Sequence, residues 1–200
     1  MVTDVYGAVV PGRPTGVLAD VWGRSALRDL ALVVGAAGAV GLAAQIAIPV
    51  PGSPVPITGQ TFAVLLAGAV LGPGRGAAGM LLYAVAGALG VPWFAGGTSG
   101  WPLATGGYLL GFVIAAALVG QLAALGADRR PGYTIGLMFI GNLLIYLVGV
   151  PWLASMTSMD VPDAVVRGVV PYLMGDALKI VLAAAVLPGS WMLLNRKRPG

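Results

Sequence analysis

Asp176 and Lys179 are the residues of this chain best placed to do chemistry. They lie in PYLMGDALKIVLAAAVL, residues 171–187, a helix-length run whose other side chains are nearly all apolar. An ionised side chain carried into a bilayer costs about 2.5–3.5 kcal/mol on insertion scales, so two on one span demand a reason. At i and i+3 they share a helix face, and that face must look into protein. One reading is a buried pair that only neutralises itself, although such pairs seldom stabilise a fold more than apolar replacements would. The other is a pocket in which a carboxylate acceptor and an ammonium donor hold a small ligand, with N–H groups at one end and an anionic group at the other.

Further polar residues can converge on the same place. Gln60 opens the second apolar run, Thr98 stands in a Gly-rich loop, Thr105 and Tyr108 begin the fourth run, and Asn142 and Tyr146 lie within the fifth. Each has a plainer alternative: Asn142 as a bond between neighbouring helices, Tyr146 as an interface residue, Gln60 as a helix-start residue. Gly96, Gly97, Gly106 and Gly107 would let backbone approach a ligand closely. Other chemistries are closed to this chain. With no His, Cys or Glu, it has no His/Cys metal site, no thiol chemistry and no triad built on a His base. No G-x-x-x-x-G-K-[ST] phosphate loop is present, and the only lysines are 179 and 197, so ATP is not bound through that motif. A catalytic residue, a metal and a cofactor are all expected to be absent.

The elements that must position these residues belong in a membrane. Of 200 residues 58% are hydrophobic and 9% charged, and the mean hydropathy is +0.92, beyond the range of ordinary soluble domains. A bilayer core takes about 20 largely apolar residues per helical span, and six stretches predict spans: 30–48, 57–72, 76–91, 106–125, 133–152 and 170–194. The second and third are short, which suits helices that stop in protein-lined space. The expected fold is an all-α, multi-pass membrane protein with a basic leader over 1–28, a six-helix domain over 29–194 and a basic tail over 195–200. The leader contains no long apolar run and does not read as a signal peptide.

Charge placement predicts the topology. If the spans alternate, Arg13, Arg24, Arg28, Arg75, Arg129, Arg130, Arg196, Lys197 and Arg198 share one side, and the other side has Arg167 beside Asp160 and Asp163. The positive-inside bias makes the first side cytoplasmic, with both termini there. The net charge of +4 thus reads as membrane topology, and no nucleic-acid partner is expected. Trp93, Trp101 and Trp152 are expected near the outer interface and Trp191 near the inner one. Two long Pro- and Gly-rich loops, 49–60 and 91–108, then face outward, where loops of that length are commonly lids or binding segments. GVPWFA (90–95) and GVPWLA (149–154) predict two helix stops at the outer face, each made by proline with tryptophan in the headgroup layer. On the first span small residues recur at 31, 35, 39, 43 and 47. A stripe of this kind lets helices approach closely in lipid, and Gly35, Ala39, Ala43 and Ala47 are read as a docking face, internal or for another subunit.

PVPITGQTFAVLLAGAVLGPGRGAAGMLLYAVAGALGVPWFAGG, then TGGYLLGF, LLIYLVGVPWLA and GDALKIVLAA resemble, in that order, the BioY family of biotin-binding S-components of energy-coupling factor (ECF) transporters. The similarity covers roughly residues 30–190. It implies a six-helix bundle that holds biotin near the outer surface and pairs with a transmembrane coupling subunit and two ATPases. In that resemblance Asp176 and Lys179 match the family's charged pair in the last helix, and Gly106, Gly107 and Tyr108 its glycine–tyrosine motif. The face of the first helix matches the family's surface for the coupling subunit. The expected activity is high-affinity capture of biotin for uptake at the cell membrane, energised by partner ATPases. The alternatives are capture of another small vitamin and an ion-coupled carrier with Asp176 as its proton site.

Overall fold

The computed structural model describes residues 16–23, 25–101 and 104–196. The apolar runs fold as helices: α1 (Ala26–Ala44), α2 (Gln60–Leu71), α3 (Pro73–Ala88), α4 (Gly106–Ala124), α5 (Pro131–Thr157), α6 (Val161–Gly168) and α7 (Leu173–Arg196). Between α1 and α2 the chain forms a small antiparallel pair, β1 (Ala47–Ile48) with β2 (Ile57–Thr58). Among the described residues, four helical stretches are long and apolar enough to cross a membrane: α1, α4, α5 and the run Val161–Leu194. Helix α2 is apolar but shorter.

Several boundaries differ from the expected spans, each for a local reason. The second helix starts at Gln60 rather than 57, because Ile57 and Thr58 pair with β1. The third starts at Pro73, where the missing N–H of a first-turn proline costs nothing, and ends at Ala88 ahead of Pro92. The fifth span, expected to stop at 152 with Pro151 as its end, runs on to Thr157. An interior proline removes a donor and crowds the preceding turn. Here packing overrides it: Leu153 is fully buried, and the Trp152 ring lies against Gly106 and Gly107. Helix α6 has no counterpart among the expected spans. It is short and amphipathic, starting where the Asp160 carboxylate accepts the Asp163 N–H at 2.8 Å. A 3-10 turn, Val170–Tyr172, joins it to α7, so the last long helix starts at Leu173 rather than 170.

The middle of the bundle is α4, which packs against α2, α3 and α5. Glycines set its distance from α2. A Cβ on Gly68 would stand 2.6 Å from the Ala116 carbonyl oxygen, and one on Gly120 would stand 2.5 Å from the Gly72 carbonyl carbon. Around this contact Val64, Ala69, Ala115, Ala116 and Val119 lose all or nearly all exposure.

Part of the leader packs on the bundle. Residues 1–15 and Arg24 lie outside the described residues, as do 197–200 of the tail. From Gly16 onward, however, the segment is packed: Val17, Leu18 and Ala19 are buried, and Gly16 N–H donates to the Ala124 carbonyl at 3.2 Å. Arg75 at the start of α3 bridges Asp20 at 2.6 Å and Asp29 of α1 at 3.0 Å, which clamps strap, α1 and α3 at one end of the bundle. At the same end the Asp128 carboxylate is fully buried and accepts the Trp191 indole N–H at 2.7 Å. The Arg129 guanidinium lies 4.6 Å from the centre of that ring. The small-residue stripe of α1 is divided. Ala31, Gly35 and Ala39 are exposed, whereas the buried face consists of Ala36, Ala37, Val40, Gly41 and Ala44. Ala43 instead meets Gly59, whose Cβ would stand 3.0 Å from the Ala43 oxygen, and Ala47 lies beyond the helix in β1.

Two outcomes follow. Gly68→Ala should lower stability by about 1–3 kcal/mol, the usual cost of an overpacked core, read as a fall in Tm; an unchanged Tm would show that α2 and α4 can separate freely. Burial pushes the Asp128 carboxyl above its ordinary range, against the Trp191 hydrogen bond and Arg129, which pull it down. The folded state then holds that proton more readily than the unfolded one. This group's contribution to stability therefore declines as pH rises from the ordinary carboxylate range through the raised value. Asp128→Asn should flatten that decline in Tm, and an unaltered slope would exclude a raised carboxyl.

Candidate ligand-binding site

At the opposite end of the bundle from the Asp128 cluster, loops and helix ends enclose a cavity of about 630 Å³, counting space open to the outside. Its walls come from every part of the chain that the charged pair could use. Val55, Pro56 and Thr58 come from the loop before α2, Phe94 and Ala95 from the loop after α3, and Tyr108, Leu109 and Phe112 from α4. Tyr146 of α5, Gly168 and Tyr172 at the end of α6, and Asp176 and Lys179 of α7 complete it.

The two charges meet each other and also face this space. Lys179 Nζ stands 3.3 Å from Asp176 Oδ1 and donates to Thr61 Oγ1 at 2.8 Å. The Tyr146 hydroxyl donates to Asp176 Oδ2. Both side chains are largely buried, 6% exposed for Asp176 and 17% for Lys179. The pair is therefore neutralised but loose, since a charge-assisted N–H···O bond is ordinarily about 2.7–2.9 Å long. With a cavity alongside, incoming N–H groups and oxygens can compete for both partners.

Hydrogen bonds between loops hold the walls. The Tyr172 hydroxyl donates to the Val55 carbonyl at 2.5 Å and contacts Ser53 Oγ at 3.1 Å, and Arg167 donates to the Gly52 carbonyl. The loop 49–56 is thereby fastened to the α6–α7 corner. On the other side Gln60 Nε2 donates to the Tyr83 hydroxyl at 2.7 Å, Tyr83 donates to the Trp93 carbonyl at 3.3 Å, and Trp93 Nε1 returns a bond to the Tyr83 carbonyl at 3.0 Å. The Phe94 ring fits because residue 87 is glycine: a Cβ there would lie 2.2 Å from it.

Of the residues singled out in the sequence, six border the cavity: Asp176, Lys179, Tyr108, Gln60, Tyr146 and Thr105. Tyr108 also braces the wall, its hydroxyl donating to the Gly168 carbonyl at 3.1 Å and its ring filling the notch at Gly149. The others stand back from the cavity. Gly106 and Gly107 form the seat for Trp152, with a Cβ on Gly107 only 2.2 Å from it. Thr98 closes the turn after α3 by donating to the Ala95 carbonyl at 3.1 Å. Asn142 is buried one turn below Tyr146, beside a separate narrow gap. Sequence reasoning missed Thr61 and Tyr172. Thr61 follows Gln60 directly, but nothing local shows that Lys179 reaches it. Tyr172 is adjacent to the charged run and depends on a corner, α6, that the sequence presents as loop.

Tyr172→Phe removes the hydroxyl that fastens the loop to this corner, with each lost bond worth about 0.5–1.5 kcal/mol. Amide hydrogen exchange across residues 50–58 should speed up while α4 exchange stays as it was. Unchanged exchange in the loop would mean that other contacts hold it shut.

Comparisons with known proteins agree with this architecture. The solved S-component for biotin from an ECF-type ABC transporter superposes with a TM-score of 0.74 at 21% identity, covering 89% of this chain and 97% of that one, and so shows the fold. A probable biotin transporter BioY of Pyrococcus horikoshii is 37% identical over 162 residues, 80% of this chain and 93% of its own length. Biotin transporter BioY2 of Lactococcus lactis is 32% identical over 160 residues, 78% and 86% of the two chains. The family model described as BioY matches residues 17–196, and on that extent the chain belongs to the BioY family.

Proposed function

We propose that the cavity takes biotin and that the chain is the substrate-capture subunit of an ECF-type uptake system. The observation that carries the reading is one opposed pair, Asp176 and Lys179, facing a largely apolar cavity. Biotin has two ureido N–H donors, a ureido carbonyl, an apolar ring and chain, and a terminal carboxylate. Asp176 accepts ureido N–H groups and Lys179 meets an oxygen of the ligand, while Phe94, Leu109 and Phe112 cover the apolar part. Tyr146, Tyr108 and Gln60 border the same space, and Gly106, Gly107 and Thr98 contribute by shaping the walls.

The chain is a multi-pass protein of the cell membrane. In this reading it crosses six times, with α2 and α3 as the short crossings and both termini cytoplasmic, so that the cavity opens outward. Energy comes from a transmembrane coupling subunit and two ATPases. The exposed small residues Ala31, Gly35 and Ala39 of α1 suit close approach by a partner helix, with Ala43 and Ala47 lower contributors because they already touch or continue into the chain's own loop.

Purified protein at a biotin concentration 100 times Kd should gain about 2.7 kcal/mol of stability, seen as a rise in Tm that other vitamins do not cause. Asp176→Asn and Lys179→Ala should each weaken binding by at least ~1.5 kcal/mol, the low end for a hydrogen bond to a charged group. Wild-type affinity in both variants would overturn the site, and a shift with a different vitamin would reassign the ligand. Uptake in cells should depend on partner ATPases and survive a protonophore; the opposite pattern would favour a proton-coupled carrier.

A further inference from the structure

Asn142 of α5 is buried, 6% exposed, and its Oδ1 has no hydrogen-bond partner. A buried acceptor left unpaired is costly. The gap it borders is narrow and otherwise apolar, shared with Phe62, Leu65, Met138, Ile180 and Lys179. Among the described residues that border the gap, the group able to supply the missing donor is the Lys179 ammonium.

Lys179 is also the group that has reason to move. Its ammonium has three donors, and its contacts are Thr61 at 2.8 Å and Asp176 at 3.3 Å. Each oxygen of Asp176 already accepts one contact, Oδ1 from Lys179 and Oδ2 from Tyr146, although a carboxylate oxygen can accept two. A ligand that brings N–H groups to Asp176 competes with these donors, and the longer contact, to Lys179, is the one that gives way. The displaced donor then needs another acceptor, or the buried ammonium is left short of a partner.

We infer that Asn142 is a positioning residue for Lys179: when ligand N–H groups take Asp176 Oδ1, the ammonium stays on Thr61, turns its freed donor to Asn142 Oδ1 and keeps its third for an oxygen of the ligand. This rests on the biotin reading of the cavity. Asn142 acts through Lys179 and touches no ligand atom. It explains why an amide is kept inside an apolar helix although it satisfies nothing in the empty site, and why it lies behind the lysine rather than on the cavity wall.

The test is a double-mutant cycle on the intact chain, with biotin affinity read by thermal shift up to millimolar ligand. Asn142→Leu keeps roughly the same volume and removes the unpaired oxygen, so the ligand-free protein should melt at the wild-type temperature or above. Biotin binding should weaken about tenfold, the scale of one hydrogen bond to a charged group. In a Lys179→Met background the same substitution should change affinity less than twofold. A clear fall in ligand-free Tm for Asn142→Leu would overturn the inference, since the amide would then already be satisfied in the empty protein. So would an equal loss of affinity in both backgrounds, which would put Asn142 on the ligand, or no loss in either. Absence of any biotin binding by the wild type would count against the ligand assignment instead, and the Tm comparison would still judge the amide.

Discussion

The structure depends on keeping two opposite charges out of water without letting them satisfy each other fully. Desolvating Asp176 and Lys179 costs several kcal/mol per ion, and attraction at 3.3 Å offsets only part of that. The remainder is met by neutral hydroxyls, Thr61 on the ammonium and Tyr146 on the carboxylate. These partners come from α2 and α5, so the helices must converge on α7 at one depth. The apolar bulk that the bilayer requires also serves these contacts, because a low-dielectric surround makes each of them stronger.

Close approach between helices is the second requirement, and glycine meets it. Gly68, Gly76 and Gly120 bring α2, α3 and α4 together along their backbones. At the cavity end Gly87, Gly149 and Gly168 act differently. Each leaves a notch filled by an aromatic ring or hydroxyl, Phe94 in the first and Tyr108 in the other two. The walls are therefore stiff where the ring is seated. They are joined by hydrogen bonds where the loop 49–56 meets Tyr172 and Arg167.

Much of this was legible in the chain, and the illegible part has a pattern. Apolar runs locate α1, α4, α5 and α7, because hydropathy over a span is a long-range average that local detail does not upset. The charged pair stands out for the same reason, as a costly exception within such a run. Proline was the weakest guide: Pro92 follows a helix end, but Pro151 sits inside α5, since Leu153 and Trp152 have packing partners far away in sequence. At Gly106 and Gly107 the close approach that glycine allows is to the Trp152 indole, a partner that the sequence does not announce. Helix α6 escaped because its eight residues, two of them charged, are too few to give a hydropathy signal. The packed strap at 16–23 was hidden because the partner of its one charge, Asp20, is Arg75, which becomes a neighbour only in the fold.

Helix α7 has its two working ends about 22 Å apart, from Asp176 to Trp191 at 1.5 Å per residue. The indole at one end is moored to Asp128, and Pro188, nearly beside that mooring, interrupts the hydrogen-bond ladder inside the helix. With no N–H at residue 188 the Ala184 carbonyl lacks its helical donor, so the rung missing from this helix falls beside the mooring and leaves the ladder through the charged pair intact.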